Sequence, residues 1–429
     1  MKYDLTAERS AYNVLKNVFL SRAYSTIELD RALDNAPDRT HGKITALVYG
    51  VLEKSIRLDY IIDALAKAKV KNNIDVLLKM GLYELLYGNE PAYAVVDRYV
   101  TFAKDRFPGT QGFVNAILRH AGDVTIDETR DDDISLSVRF SQPRWLVESL
   151  VGEFGRERTI SILSAEKKKA THIRHNSRKI SAEDFAKIMT DMAKEHKITP
   201  TGLGYYVTRS TMRALRPDVF TAQSLASMYA VNIYAEDYKG KAPRVLDLCA
   251  APGGKSVYFG ELVPDADITA CDLHFHRAQL IGSYAGRMGV DNIKICVNDA
   301  SELREEWIDV YDVVICDVPC SGSGLLVSSP DILLFKSESD VSSLGRLQSE
   351  IIRTAARYVK TGGELMYSTC SIFAHENERV VREFLAERPD FELVPTSLPY
   401  GSTKDGMTRL FPDTDGCDGF FIAKMRRKA

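Results

Sequence analysis

The sequence predicts an α/β protein in which a parallel sheet flanked by helices follows an all-helical N-terminal bundle. Three observations predict this fold class. From Arg244 onward, short apolar runs rich in β-branched residues alternate with helical patterns, as in parallel sheets that are buried on both faces. The polar motifs of this region follow the ends of those runs, where open α/β sheets bind their ligands. Over residues 1–120, in contrast, only helical periodicity is found.

The N-terminal helices are predicted from apolar residues at the spacing i, i+3, i+4 and i+7. In the first helix these residues are Ala11, Val14, Leu15, Val18 and Phe19. The same pattern recurs over residues 44–67, 74–88, 95–107 and 112–121. Because turn-forming residues separate these segments, we expect a small all-helical bundle over residues 1–125.

Residues 126–235 are predicted to form a linker and a basic segment of mixed α+β structure. The polar stretch AGDVTIDETRDDD is the linker candidate. Between Arg139 and Arg216 the sequence has 16 Lys and Arg residues, including Lys167, Lys168 and Lys169, but only 8 Asp and Glu. Such a local excess of positive charge suits a surface that contacts RNA phosphates, and a solvated helix face is the alternative.

The bulk composition argues against several classes of protein. No run of 18 apolar residues occurs, and the N-terminal residues lack the apolar core and cleavage site of a signal peptide, so we expect no membrane segment. Seven cysteines, an odd number in a long chain, argue against a disulfide framework, and the absence of a Cys-x-x-Cys pair argues against a structural zinc site. We therefore expect a cytoplasmic protein without a metal. The formal net charge of −3 by itself argues against a nucleic-acid binder, although the mean hides the basic segment described above.

The first strand of the C-terminal region, RVLDL, is followed by the glycine turn CAAPGGKS. Its end is similar to a phosphate-binding P-loop, but Cys249 stands where that loop needs a glycine, six residues before Lys255. Gly253 and Gly254 would instead let the backbone approach another ligand closely. The N-terminus of the next helix can bind an anion, and a carboxylate serves as well as a phosphate.

Two acidic residues follow the next strands of the predicted sheet. Asp272 ends the second strand, where a carboxylate can accept hydrogen bonds from ribose hydroxyls, and Asp299 follows the third, near the position of an adenine edge. A glycine turn with two such acids predicts a ligand that contains adenosine. These residues alone do not distinguish NAD from S-adenosylmethionine.

Two further strands end in loops that carry a cysteine. Cys320 lies in CDVPCSGSG and Cys370 in YSTCS, so both sulfur atoms are expected at the mouth of one cleft. Backbone N–H groups in such loops can favour the thiolate. The other cysteines are interpreted as small packing residues inside strands (Cys271, Cys296, Cys316), as a packing or turn residue (Cys249), or as loop or core (Cys417).

A thiolate beside S-adenosylmethionine suits methylation of carbon 5 of a pyrimidine. That carbon is too weak a nucleophile to accept a methyl group directly. Addition of a thiolate at carbon 6 moves electron density to carbon 5, which can then be methylated. Loss of the carbon-5 proton and elimination of the thiolate restore the ring, and the base must first leave its stack.

Four motifs together resemble the RNA cytosine-5 methyltransferase family: DLCAAPGGKS, DVPCSGSG, YSTCS followed by HENE, and DGCDGFFIAKM. The helical N-terminal region, which ends in GFVNAILR, is similar to RNA-binding domains of the NusB type. Nearly the whole chain thus resembles the Sun-type branch that acts on bacterial 16S ribosomal RNA. The resemblance implies a seven-stranded, Rossmann-like methyltransferase domain over residues 236–429, with S-adenosyl-L-methionine as cofactor and 16S ribosomal RNA as partner.

The resemblance also implies catalytic roles. Cys370 would be the nucleophile, and Cys320 would assist release of the enzyme from the methylated base. Asp317 would lie between the cofactor and the target base and donate a hydrogen bond to the pyrimidine. In this family, the presence of both cysteine motifs points to RNA rather than DNA as the substrate.

The cofactor would lie on the glycine turn, with Asp272 at the ribose and Asp299 near the adenine. Arg277 is a further candidate for a cofactor contact, and for it and Lys255 a structural ion pair is the alternative. The turn residues implied by the resemblance are Cys249, Ala250, Ala251, Pro252, Gly253, Gly254 and Lys255.

Two positions depart from the family pattern. Residues 327–329 (VSS) precede Pro330 and Asp331 where the family often has basic residues, and Ser224 follows Gln223 where the family often has an aspartate. Two alternatives therefore stay open: a transfer RNA substrate, and a non-catalytic RNA-binding factor in ribosome assembly. A nicotinamide oxidoreductase would need Gly-x-Gly-x-x-Gly spacing, which is absent, and it would leave the two thiols without a role.

Overall fold

A computed structural model of the chain describes residues 3–166, 170–329, 331–396 and 406–429. These residues form two compact units: the first extends to Leu163 and also includes Ser329–Phe335, and the second comprises the rest. Lys167, Lys168, Lys169 and Pro330, which the sequence analysis singled out, lie outside the described residues. The division of the chain near residues 125 and 235 stays a prediction.

Eighteen α-helices lie within the described residues. They are α1 (Thr6–Ser21), α2 (Ser25–Asp34), α3 (Asp38–Glu53), α4 (Ser55–Leu65), α5 (Asn72–Tyr87), α6 (Ala92–Arg106), α7 (Gln111–Arg119), α8 (Asp133–Phe140), α9 (Arg144–Phe154), α10 (Arg156–Leu163), α11 (Ala182–Met192), α12 (Arg209–Ala214), α13 (Leu225–Ala235), α14 (Gly254–Leu262), α15 (Phe275–Met288), α16 (Asp331–Leu334), α17 (Glu338–Tyr358) and α18 (Glu378–Glu387).

The first unit is helical, as its periodicity predicts, and it contains α1–α10 and α16. The apolar face predicted for α1 is buried, and Phe19 packs half-buried against the same core. The pattern over residues 44–67 corresponds to two helices, because α3 ends at Glu53 and α4 begins at Ser55. The periodicity thus located the buried faces correctly but not this break.

Twelve strands lie in the described part of the second unit. They are β1 (Thr171–His175), β2 (Ile198–Pro200), β3 (Tyr205–Val207), β4 (Phe220–Ala222), β5 (Arg244–Asp247), β6 (Asp267–Asp272), β7 (Ile293–Val297), β8 (Tyr311–Asp317), β9 (Val359–Thr369), β10 (Phe391–Leu393), β11 (Met407–Leu410) and β12 (Phe420–Arg427).

The large sheet has the strand order β10-β12-β9-β8-β5-β6-β7, and β11 pairs with β12. The five strands predicted from Arg244 onward all form, and each pairs in parallel with its neighbour among them. Strand β12 joins β9 antiparallel, and β10 and β11 flank β12. The predicted Rossmann-like sheet is therefore confirmed, with an antiparallel edge beside its parallel strands, but it has eight strands rather than seven because β11 adds to β12.

Burial of the parallel strands follows their position in the sheet. The apolar residues of β5 and β8 are buried, as their sequences predict. Strand β7 lies at the sheet edge and exposes Ile295 and Val297, so the prediction of burial on both faces fails there. For the same reason Cys296 is only half-buried, although it was predicted to pack inside a strand.

A second, smaller sheet lies in the basic segment and has the order β2-β3-β1-β4, with all pairs antiparallel. The predicted turn and strand of ITPTGLGYYVTRS correspond to β2, a turn and β3. No helix within the described ranges is both long and apolar enough to cross a membrane.

Candidate active site

The parallel strands of the large sheet bring the predicted motifs to one edge, because parallel strands end on the same side. Asp272 is the last residue of β6, and Asp317 is the last residue of β8. Cys370 directly follows β9. Asp299 comes two residues after the end of β7. The ligand and catalytic candidates therefore follow adjacent parallel strands at the edge where such sheets bind ligands.

The glycine turn connects β5 to α14. Gly253 has a φ of 109°, in the left-handed region that favours glycine. A Cβ atom at this position would also lie 3.2 Å from the Cα atom of Ile281. Two side chains hold the turn from outside: Gln223 Nε2 donates to the Gly254 carbonyl over 3.0 Å, and Arg277 Nη2 donates to the Ala251 carbonyl over 3.2 Å. The backbone of the turn is thus fixed by conformation and by its neighbours.

The two strand-end acids differ in their partners. Asp272 is 5% exposed, and Arg277 Nε lies 3.3 Å from its Oδ1. Arg277 therefore takes part in the structural ion pair that was its alternative role. Asp299 Oδ1 accepts hydrogen bonds from the Oγ and the N–H of Ser301, and these bonds lower the pKa of Asp299. A carboxylate with a lowered pKa stays an acceptor at neutral pH.

A third acid, Asp247, was not among the predicted site residues. It ends β5, is 1% exposed, and its Oδ2 accepts a hydrogen bond from Ser256 Oγ over 2.6 Å. Burial raises the pKa of Asp247 to about 7. Its buried Oδ1 has no hydrogen-bond partner within the described residues. The sequence signal was an acid inside the apolar run RVLDL, immediately before the turn.

Lys255 and Asp317 form an ion pair that joins the glycine turn to the end of β8. Lys255 Nζ lies 2.5 Å from Asp317 Oδ2, and Ser368 Oγ donates to Asp317 Oδ1 over 2.7 Å. Lys255 is largely buried, and its Nζ lies 5.3 Å from the centre of the Phe420 ring. Both carboxylate oxygens of Asp317 are therefore held in place by neighbouring elements.

The two predicted reactive cysteines lie side by side. The Sγ atoms of Cys320 and Cys370 are 2.8 Å apart, and the Cys370 N–H donates to Cys320 Sγ over 3.3 Å. Both residues are partly exposed. The hydrogen bond with Cys370, together with burial, raises the pKa of the Cys320 thiol. Cys320 thus keeps its proton and can donate it in a hydrogen bond to the sulfur of Cys370.

The remaining cysteines follow their packing environment. Cys271 and Cys316 are fully buried, and burial raises the pKa of both thiols, in agreement with their predicted packing role. Cys417 belongs to the core, and Cys249 packs half-buried against another part of it. No group of three His, Cys, Asp or Glu side chains suited to a metal ion was found in the described part of the chain.

Comparison with known proteins gives two family matches. Residues 238–426 match the 16S rRNA methyltransferase RsmB/F family, and residues 6–123 match the NusB family. The protein named "Probable ribosomal RNA small subunit methyltransferase B" from Bacillus subtilis (strain 168) is 32% identical, and the match covers 95% of this chain and 96% of that protein. A protein of the same name from Synechocystis sp. is 29% identical over 99% of this chain and 100% of its own length.

Solved structures share the fold. The crystal structure of PH0851 matches over 100% of both chains with a TM-score of 0.83 and 23% sequence identity. The structure of NSun6 from Pyrococcus horikoshii with SFG covers 67% of this chain and 98% of its own, with a TM-score of 0.58 and 22% identity. Sequence and fold agree, and the chain belongs to the RsmB/F family of ribosomal RNA methyltransferases, with a NusB-family domain in its N-terminal part.

Proposed function

We propose that this protein methylates carbon 5 of a cytosine in 16S ribosomal RNA, with S-adenosyl-L-methionine as methyl donor and Cys370 as nucleophile. The observation that carries the proposal is the pair of sulfur atoms of Cys320 and Cys370, 2.8 Å apart. Asp317, which the ion pair with Lys255 orients, ends the strand from which the Cys320 loop continues. Two adjacent thiols at the sheet edge where Asp317 ends its strand suit nucleophilic attack on a pyrimidine ring.

The residues at the glycine turn fit S-adenosylmethionine. The acceptor atoms of Asp272 and Asp299 suit ribose hydroxyls and an adenine amine. The buried Oδ1 of Asp247, which lacks a partner among the described residues, suits a ligand that carries an ammonium group. The N-terminus of α14 suits a carboxylate. When bound, the cofactor supplies an electrophilic methyl group, and the crystallised NSun6 with SFG shares this fold.

The side chains of the site have separate roles in this reaction. The sulfur of Cys370 forms a bond to carbon 6 of the cytosine, and electron density moves to carbon 5. Because the carboxylate of Asp317 pairs with Lys255 and accepts from Ser368, it would accept a hydrogen bond from the cytosine amino group and orient the ring, rather than donate one as the family resemblance implied. After methylation, carbon 5 loses its proton to water, the double bond between carbons 5 and 6 forms again, and the electron pair of the sulfur–carbon bond returns to the Cys370 sulfur. The protonated thiol of Cys320, beside the leaving sulfur, assists that release.

The two cysteines provide the test. We expect Cys370→Ala to abolish methyl transfer to 16S ribosomal RNA, whereas Cys320→Ala should accumulate a covalent RNA adduct that migrates slowly on a denaturing gel. Cys296→Ala is the matched control, because Cys296 lies at the sheet edge, and it should behave like the wild type. Normal methylation by Cys370→Ala would contradict the mechanism.

The RNA substrate rests on the relatives more than on charge. The name of the Bacillus subtilis relative specifies small subunit ribosomal RNA. Part of the basic segment is neutralised internally, since Arg174 is buried and pairs with Glu261. Bisulfite sequencing of RNA from cells that lack the protein should show the loss of one methylated cytosine in 16S ribosomal RNA. Loss in a transfer RNA would identify that alternative substrate instead, and no loss would favour the assembly factor.

A further inference from the structure

We propose that Glu376 is a positioning residue that holds the two cysteine loops together, so that the proximity of the Cys320 and Cys370 sulfur atoms depends on its carboxylate. Its importance for methyl transfer rests on the proposed function. The pairing of the two thiols can be measured independently of any RNA. Glu376 belongs to the HENE motif, to which the family resemblance assigned no role.

The carboxylate of Glu376 is fully buried and binds donors from both loops. Its Oε1 accepts from the Ser321 N–H over 2.8 Å, and its Oε2 accepts from the hydroxyls of Ser321 and Ser371, each over 2.5 Å. Ser321 directly follows Cys320, and Ser371 directly follows Cys370. One carboxylate therefore joins the two residues that come immediately after the two thiols.

A fourth donor reaches the same carboxylate from α17. Gln348 Nε2 donates to Glu376 Oε1 over 3.0 Å and to the carbonyl of Pro319 over 2.9 Å. Lys336 Nζ donates to the carbonyls of Cys320 and Ser321 over 3.2 and 2.6 Å. The Pro-Cys-Ser loop is thus held through its carbonyls, its amide and its hydroxyl.

The neighbour of Glu376 in the sequence holds the other loop. Asn377 Nδ2 donates to the Ser371 carbonyl over 2.9 Å, and Asn377 Oδ1 accepts from Thr369 Oγ1 over 2.5 Å. Because Thr369 and Ser371 flank Cys370, this loop is fixed on both sides of its thiol. Glu376 and Asn377 thus position the two cysteine loops through hydrogen bonds to the residues next to each thiol.

A carboxylate suits this set of partners better than an amide does. Its Oε1 accepts from two N–H groups and its Oε2 accepts from two serine hydroxyls, so all four groups donate to an oxygen. In Glu376→Gln an NH₂ group would face one or more of these donors, and a buried donor without an acceptor is destabilising. We therefore expect the loops of that variant to separate, although the side chain keeps almost the same volume.

The test uses the full-length protein and a trivalent arsenical, phenylarsine oxide, which binds two close thiols and releases one water. To exclude the neighbouring thiols of β6 and β7, every variant is made in a Cys296→Ser background. We expect capture by the Cys320–Cys370 pair, lost in Cys320→Ala and at least tenfold weaker in Glu376→Gln. Glu383→Gln is the matched control: it lies exposed on α18, pairs with Arg379 and should match the background protein.

Methyl transfer gives a second readout. We expect Glu376→Gln to lower kcat at least tenfold and to leave KM for S-adenosylmethionine within twofold, because Glu376 makes none of the contacts described for the glycine turn. Unchanged arsenical capture and unchanged kcat in this variant would overturn the inference. If the unsubstituted protein methylates no cytosine while capture still depends on Glu376, the proposed function fails and the positioning role stands.

A second variant covers the case in which Glu376→Gln does not fold. Ser371→Ala removes one of the four donors with a small change in volume. We expect it to weaken arsenical capture about threefold, and capture equal to that of the background protein would overturn the inference.

Discussion

Asp317 shows how individual contacts orient a side chain in this site. Its two oxygens bind partners from different elements: Lys255 comes from the first turn of α14, and Ser368 comes from β9. The sequence indicated Asp317 through its motif. For Lys255 it left two roles open, a contact with the cofactor and an ion pair. Only the register between β5 and β8 brings the two residues together, and a local sequence pattern does not contain that register.

A double-mutant cycle should show that Lys255 and Asp317 act as one unit. We expect Lys255→Met and Asp317→Asn each to lower the single-turnover rate of methyl transfer by about 10²-fold, because either change removes an oriented charge at the reacting base. The double variant should be little slower than either single variant. Lys294→Met, which breaks an exposed pair with Asp267, is the control and should leave the rate unchanged. Multiplicative losses would contradict the coupling.

Asp247 should make the stability of the second unit depend on pH. Because burial raises its pKa to about 7, the folded chain keeps a proton that the unfolded chain loses at a lower pH. The stabilising contribution is thus complete below the unfolded pKa and is lost as pH rises through about 7. Relative to the wild type, the free energy of unfolding of Asp247→Asn should rise by roughly 2 kcal/mol between pH 5 and pH 8.

Tryptophan fluorescence can follow this effect. The chain has two tryptophans, and Trp307 lies in the second unit. In a Trp145→Phe background, urea unfolding monitored by Trp307 should therefore report the unit that contains Asp247. A difference between the variant and wild type that does not change with pH would show that the carboxyl group does not titrate in this range.

At the scale of elements, the backbones of three segments of the second unit lie so close together that no side chain fits between them. The Gly324 N–H donates to the Cys370 carbonyl, and the Gly419 N–H donates to the Gly324 carbonyl, each over 2.9 Å. A Cβ atom on Gly324 would lie 2.0 Å from the Gly419 oxygen. Backbone contacts therefore join three segments: the loop that carries Cys320, the loop that carries Cys370, and the residue before β12.

Gly324→Ala should displace this crossing and lower the methyl-transfer rate at least tenfold, because the Cys370 loop accepts its hydrogen bond there. Gly286→Ala makes the same substitution in α15, where a Cβ atom would meet open space. We expect it to leave the rate unchanged and to raise the free energy of unfolding by up to about 1 kcal/mol. Equal effects of the two substitutions on the rate would show that the crossing is not required.

The sequence predicted the individual strands better than it predicted which strands lie next to each other. The parallel strands were recognised because each is a short apolar run that ends at a polar motif, and those motifs located Cys320, Cys370 and Asp272 at one edge. The exposure of β7 and the antiparallel position of β12 depend on strand order, which no single run contains. Glu376 escaped notice for the same reason, since its donors lie up to 55 residues away in the chain.

At the scale of the whole molecule, the chain leaves the second unit after Ser328, contributes Ser329–Phe335 to the first unit, and returns at Lys336. Within the first unit, Ser25 Oγ donates to Asp331 Oδ2 over 2.5 Å. The rings of Phe19 and Phe335 pack edge to face with their centres 6.0 Å apart. This excursion begins shortly after the Pro-Cys loop, and Lys336, where it ends, contacts the carbonyls of that loop.

Phe335→Ala should therefore affect both units. We expect it to lower the free energy of unfolding of the first unit by about 2 kcal/mol, as followed by Trp145 fluorescence in a Trp307→Phe background. We also expect arsenical capture by Cys320 and Cys370 to weaken about threefold, because the residue next to Lys336 loses its anchor. A loss of stability without any change in capture would show that the excursion does not influence the cysteine loops.

The assignment of Ser329–Phe335 to the first unit limits how domains can be exchanged between relatives. A chimera joined at a single point after Leu163 would pair a foreign helical bundle with the native Ser329–Phe335 peptide, whose Phe335 fits against Phe19 of its own bundle. Recombination must therefore transfer two separate pieces of gene at once. For such an exchange, the helical bundle and the peptide that completes it form one discontinuous module.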